Sequence, residues 1–148
     1  LGCRCLLFSL LVALGACEPQ PGAEGPHSAD VEAEPVAYEA VQAVFDVHCV
    51  LCHGANPVLQ GDLDLRAGSS YAMLVQGTTW CDLDGRADVP LVSPGDLERS
   101  ALSIKIHDDV ADGLTCGREM PATGTPLATT HPEAAALIDD WILSGAQR

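Results

Sequence analysis

The chain has 148 residues, with 21 Asp or Glu against 7 Lys or Arg and a formal net charge of -14, which leaves room for one small domain with tails and not for two. An anionic surface repels phosphates and cannot release their counterions, so nucleic acid is excluded as a partner, and a protein that docks through charge should present a basic face. Aromatic residues make up only 4% of the chain and Cys occurs 7 times, so a core this small would gain from a bound cofactor or a cross-link.

In chain order, Leu1 to Cys5 leads into the apolar run Leu6 to Leu14, which is near the length of a signal-peptide core and too short to span a bilayer. The run ends Leu14-Gly15-Ala16-Cys17, which resembles the bacterial lipoprotein signal, where small residues precede a cysteine that is acylated and becomes the new N-terminus. Residues 1–16 are therefore expected to be removed and Cys17 lipidated, with the product exported and anchored on the periplasmic side of a bacterial membrane. Export matters for the remaining cysteines, because thiols outside the reducing cytosol are seldom left idle. From Glu18 to Ala37 four prolines interrupt a stretch without apolar periodicity. Residues 17–37 thus read as a disordered tether, whose flexible part would reach roughly 25 Å. His27, inside the tether, reads as a solvated side chain.

Ordered structure is expected from residue 38 to 148. Val41, Val44, Phe45 and His48 recur at helical spacing and run into Cys49-Val50-Leu51-Cys52-His53-Gly54. Gly61 to Leu65 reads as a loop or short extended piece, Ser69 to Val75 as a short helix, and Gln76 to Val92 as turns. Ser93-Pro94-Gly95-Asp96 is expected to start another helix, capped by Asp96 and reaching about Ile106. His107 to Thr129 reads as irregular. The last helix carries Ala134, Leu137, Ile138, Trp141 and Ile142 as one stripe, with Thr130 and Glu133 as a capping box, Pro132 in the first turn and Gly145 as its stop. Asp82 to Asp88 lacks the ligand spacing of a calcium loop and reads as an acidic turn with Asp-Gly at its tip.

Cys49-x-x-Cys52-His53 has the spacing for c-type haem attachment. Two thiols add to the two vinyl groups, and the imidazole directly after the second thiol is held under the iron. The same residues admit two other readings. A thioredoxin-like dithiol should open a helix behind a βαβ pattern, whereas this run closes one. A zinc site needs a second close ligand pair, and Cys81 and Cys116 stand far apart in the chain. Those two exported cysteines are instead expected to form a disulfide, closing a loop of about 35 residues at a gain of up to roughly 4 kcal/mol in the chain-entropy model.

Over residues 38–146 the sequence resembles the small single-haem cytochromes c, and more closely the cytochrome-c-like domains of exported proteins of bacteria such as planctomycetes. The resemblance rests on the helix entering the CxxCHG run, then Val92-Ser93-Pro94-Gly95-Asp96-Leu97, then Cys116-Gly117-Arg118-Glu119-Met120-Pro121, then the terminal Trp141-Ile142-Leu143-Ser144-Gly145-Ala146. It implies a mainly α domain wrapped around one covalent haem c. The first and last helices would cross over one haem edge, with Trp141 meeting Phe45. That family often has a small residue one turn before the aromatic; this chain has Val41 there.

The resemblance further implies Met120 as the distal iron ligand, because it lies in a loop directly before Pro121 and ahead of the terminal helix. Met73 reads as a core side chain, and His107 or an open position are the other candidates for the sixth ligand. His/Met ligation favours reduced iron and raises the potential. His48 reads as a half-buried packing residue and His131 as a helix-start residue. The function expected is a non-enzymatic electron carrier with a basic redox partner. The alternatives are a haem enzyme or gas-binding sensor, using His107 or Arg118 beside an open iron position, and a haem subunit of a larger exported oxidoreductase.

Overall fold

The computed structural model describes residues 34–54, 62–83, 85–107 and 117–148; the leader 1–16, Cys17, the tether as far as residue 33, and Cys116 lie outside the described residues. Among the described residues five helices follow in order: α1 (Tyr38–His48), α2 (Ser70–Gln76), α3 (Ala101–Ile106), α4 (Leu127–Thr130) and α5 (Pro132–Leu143). Pairing between extended segments among the described residues is confined to the isolated bridges Thr78–Pro90, Leu83–Arg86 and Ser93–Asp96. The result is a small, mainly α domain, as the helical periodicities require.

Helices α1 and α5 bury the stripes read from sequence. Val41 and Phe45 on α1 and Ile138, Trp141 and Ile142 on α5 are fully inaccessible and join Leu65, Leu74 and Leu127 in one core cluster. Phe45 and Trp141 share that cluster, while the rings set against Trp141 are Tyr38 at 5.2 Å and Tyr71 at 6.4 Å between centroids. The indole N–H donates to the Gln147 carbonyl at 2.7 Å, so the buried tryptophan leaves no polar atom unpaired. Tyr38 donates to Ser70 at 2.6 Å, and Ser70 donates to Gln42, which ties α2 across α1. Packing begins two residues ahead of the expected boundary, since Val36 already lies against the core.

Three expectations need correction. The helix expected from Asp96 begins at Ala101, after the N-cap Ser100. Pro94 and Gly95 make a turn instead, with Gly95 at φ +81°, a conformation that glycine enters without penalty. The Gly95 amide donates to the Ile142 carbonyl of α5 at 2.7 Å. Asp96 caps only the Arg99 amide, at 3.1 Å, and so holds a single turn. The stretch read as irregular up to Thr129 ends in the short α4. The expected capping box is absent because Thr130 closes α4, its hydroxyl donating back to the Pro126 carbonyl at 3.2 Å, and His131 takes the N-cap of α5.

The stop at Gly145 is as read; the chain also turns where the acidic turn was expected, with Asp84 outside the described residues. Gly145 at φ +97° donates to Ile142 at 3.0 Å and Ala146 donates to Trp141 at 2.9 Å, the double bond of a Schellman ending. Leu83 and Arg86 exchange backbone hydrogen bonds around Gly85, which sits at φ +80°. No helix of the described residues is long and apolar enough to cross a membrane.

Because Trp141 is wholly buried between α1, α2 and α5, Trp141→Ala should cost about 3–5 kcal/mol in chemical denaturation. A loss below about 1 kcal/mol would show that the α1–α5 contact does not hold the domain together.

Candidate functional site

The site grows out of the way α1 ends. The Phe45 carbonyl accepts both the Cys49 amide at 2.8 Å and the Val50 amide at 2.9 Å, which closes the helix and turns the chain. The next turn is fastened by Cys52 and His53 amides donating to the Cys49 carbonyl at 3.1 and 2.8 Å. Gly54 follows where a Cβ would strike the Val50 carbonyl oxygen, a backbone atom that cannot yield. The His53 carbonyl in turn accepts the Leu65 amide at 2.8 Å, which stitches the extended piece around Leu63 to the motif.

Three reactive side chains result, in unlike environments. Cys49 and Cys52 are free thiols, the first half-buried and the second exposed. Burial, with Cys52 adding to it, pushes the Cys49 thiol up to about 12. That is the reverse of a redox dithiol, whose attacking cysteine sits at a helix N-terminus with a lowered pKa. Burial also lowers the His53 imidazole below its usual 6.5, opposed by the Leu63 backbone carbonyl nearby. Nδ1 of the same ring is buried without a hydrogen-bond partner. The neutral ring is the buried form. Its contribution to stability is therefore present above about 6.5 and declines as pH falls below that value.

A cavity of about 670 Å³ opens beside these groups, in the range of ligand sites in general. Cys49, Cys52 and His53 line it, as does Met120, and Leu63, Leu65, Leu74, Leu91, Leu102 and Leu127 make most of it apolar. Trp80 stands at its rim, 75% exposed. Sequence separation between His53 and Met120 is therefore bridged by the fold, which brings all four expected site residues onto one surface.

Met120 is held by its backbone. Its amide donates to the Lys105 carbonyl at the end of α3 at 2.6 Å, and its carbonyl accepts the Leu127 amide at the start of α4 at 3.0 Å. Lys105 adds a second hold, its ammonium donating to the Arg118 carbonyl at 3.1 Å. Met73 lines the cavity as well and is only half-buried, contrary to a core role; α2 packs through Ser70 and Leu74 and leaves Met73 on its flank. Its sulfur already accepts the Asp64 amide at 3.3 Å.

The other candidates turn elsewhere. His107 is outside the cavity lining, and its Nε2 meets the Asp139 carboxylate of α5 at 2.6 Å. Arg118 is exposed and also outside the lining. His48 does line the cavity, with its ring 4.4 Å from that of His131. Cys81 is disulfide-bonded; the expected partner Cys116 lies outside the described residues.

Sequence reasoning missed Asp139 and Ser103. Asp139 accepts from Ser103 Oγ at 2.9 Å as well as from His107. The carboxylate stands in the middle, so the imidazole does not reach the serine and no nucleophile is activated. The only signal in the sequence is a serine between Leu102 and Ile104 in an apolar helix. Among the described residues, no three His, Cys, Asp or Glu side chains converge as a site that would hold a metal by themselves.

The unequal thiols can be tested without any cofactor. An alkylating reagent at pH 8 should label Cys52 well before Cys49, because Cys49 is half-buried and its thiolate is suppressed. Mass mapping of partly labelled protein reads the order, and faster labelling of Cys49 would contradict the environment described here.

In comparison with known proteins, no family model, no curated protein and no solved structure matches the chain.

Proposed function

We propose that the protein is an electron carrier that holds one covalent c-type haem in the cavity, through thioethers at Cys49 and Cys52, with His53 and Met120 as the axial iron ligands. The observation that carries the reading is that Met120, far from Cys49, Cys52 and His53 in sequence, lines the same largely apolar cavity as they do. The leucine lining suits an apolar macrocycle, and the exposure of Cys52 leaves the attachment edge near solvent, where an electron can pass to a docked protein.

When bound, the haem supplies a one-electron couple. The chain's residues do the rest. Cys49 and Cys52 would each add their S–H across one vinyl double bond of the haem, the sulfur bonding one carbon and the hydrogen passing to the other, which would prevent loss of the group after export. His53 donates a ring nitrogen from a ring already held neutral by burial. Met120 offers a thioether, which favours reduced iron and raises the potential.

The rival reading, an enzyme or sensor with an open iron position, needs polar groups facing the ligand. His107 and Arg118 were the candidates, and neither lines the cavity. The leader and Cys17 add export and a lipid anchor on the periplasmic side to the proposal. The net charge of -14 adds a redox partner with a basic docking surface. A haem subunit of a larger exported oxidoreductase would use the same chemistry with a fixed partner.

Met120→Ala separates the carrier from the enzyme. The oxidised parent should show the weak near-infrared sulfur-to-iron band, and the reduced parent should exclude carbon monoxide. The variant should lose the band, bind carbon monoxide and fall in potential, whereas Met73→Ala should do none of these. Ready carbon monoxide binding by the reduced parent, with peroxidase turnover, would move the function to the enzyme or sensor class.

A further inference from the structure

The Met120 loop is hydrogen-bonded to α3, and the side chains of α3 are hydrogen-bonded to α5 at one carboxylate, Asp139. From the loop outward, the Met120 amide is held by the Lys105 carbonyl at 2.6 Å and the Arg118 carbonyl by the Lys105 ammonium at 3.1 Å. Lys105 sits in the last turn of α3, between Ser103 and His107. Both of those neighbours bond Asp139: Ser103 Oγ to one carboxylate oxygen at 2.9 Å and His107 Nε2 to the other at 2.6 Å. The side chain of Asp139 is only 15% exposed and that of His107 33%, so the contacts are partly shielded from water. Hydrogen bonds to an ionised acceptor in such a setting are stronger than neutral ones.

Elsewhere the hydrogen bonds of α3 to other segments lie at its start, where the Ala101 and Leu102 amides donate to the Pro90 and Leu91 carbonyls at 3.0 Å each. The helix has six residues, no side-chain N-cap bond, and a C-cap at His107 in extended conformation. Its apolar side chains bury into the core and the cavity wall, Ile106 of the final turn among them; such contacts are non-directional, and it is hydrogen bonds that set register. A carboxylate that takes both Ser103 and His107 fixes that turn in register.

We infer that Asp139 is a positioning residue for the Met120 sulfur: by clasping Ser103 and His107 it fixes the turn of α3 whose carbonyl and ammonium at Lys105 hold the Met120 loop against the cavity. The inference rests on the reading of Met120 as an iron ligand. It assigns His107, otherwise a candidate ligand or distal group, to the support of the ligand loop. Asp139 touches neither the cavity nor any reacting atom.

The test uses the haem-loaded protein and reads ligation rather than global stability. Asp139→Ala should weaken the near-infrared sulfur-to-iron band of the oxidised form and open the reduced form to carbon monoxide, which the parent excludes, short of the full loss seen in Met120→Ala. His107→Ala removes one of the two holds and should shift both readouts the same way by less. Asp140→Asn changes the neighbouring charge on an exposed position of the same helix and should change neither. If Asp139→Ala does not take up haem, the His107→Ala shift decides. A parent with the band and variants indistinguishable from it overturn the inference alone; a parent without the band overturns the reading of Met120 and the inference together.

Discussion

Phe45 does two things at once, and the rest of the structure depends on their being done by one residue. Its ring is fully buried in the cluster formed with Ile138, Trp141 and Ile142 of α5. Its carbonyl accepts the amides of Cys49 and Val50 and so ends α1. The core therefore sets where the helix stops and in which direction Cys49, Cys52 and His53 leave it. A shift of α1 along α5 would move the core and the motif together, so apolar packing sets where the motif starts and the hydrogen-bonded turn from Cys49 to His53 sets how its side chains are presented.

The Met120 segment is referred to the same helix by another route. Its amide and the neighbouring Arg118 carbonyl are tied to Lys105, and the turn around Lys105 is tied to Asp139 on α5. Helix α5 is thus the common frame: its apolar stripe holds α1, and the carboxylate beside that stripe holds α3. In the proposed function this is what a carrier needs, because an electron passes with least rearrangement when both axial ligands keep their places in the two oxidation states. A soft thioether delivered from a loop would otherwise be easy to lose.

What was legible in the sequence was local or periodic. The motif from Cys49 to His53 spans five adjacent positions, and α1 and α5 carry enough turns for their apolar stripes to show. Met120 was legible only through Pro121 and the following helix. Contacts between distant polar residues gave no signal: Asp139 looks like any solvent-facing acid on an amphipathic helix, and Ser103 and His107 lie more than thirty positions away from it. Helix α4 is four residues, too short to display a period, and its Thr130 offered a capping box that the helix itself consumed. The start of α3 was misread because Asp96 does cap a turn, but Pro94 and Gly95 commit the chain to a bend fastened to Ile142 before a helix can propagate.

The central claim is that Cys49 and Cys52 carry a haem by covalent bonds. Its most direct measurement is the mass of the chain, expressed alongside a c-type haem attachment system and then denatured in acid and organic solvent. The account predicts one haem added to the chain, surviving extraction, and mapped to the peptide containing Cys49 and Cys52. A denatured chain without added haem, or with its haem extracted, would contradict it.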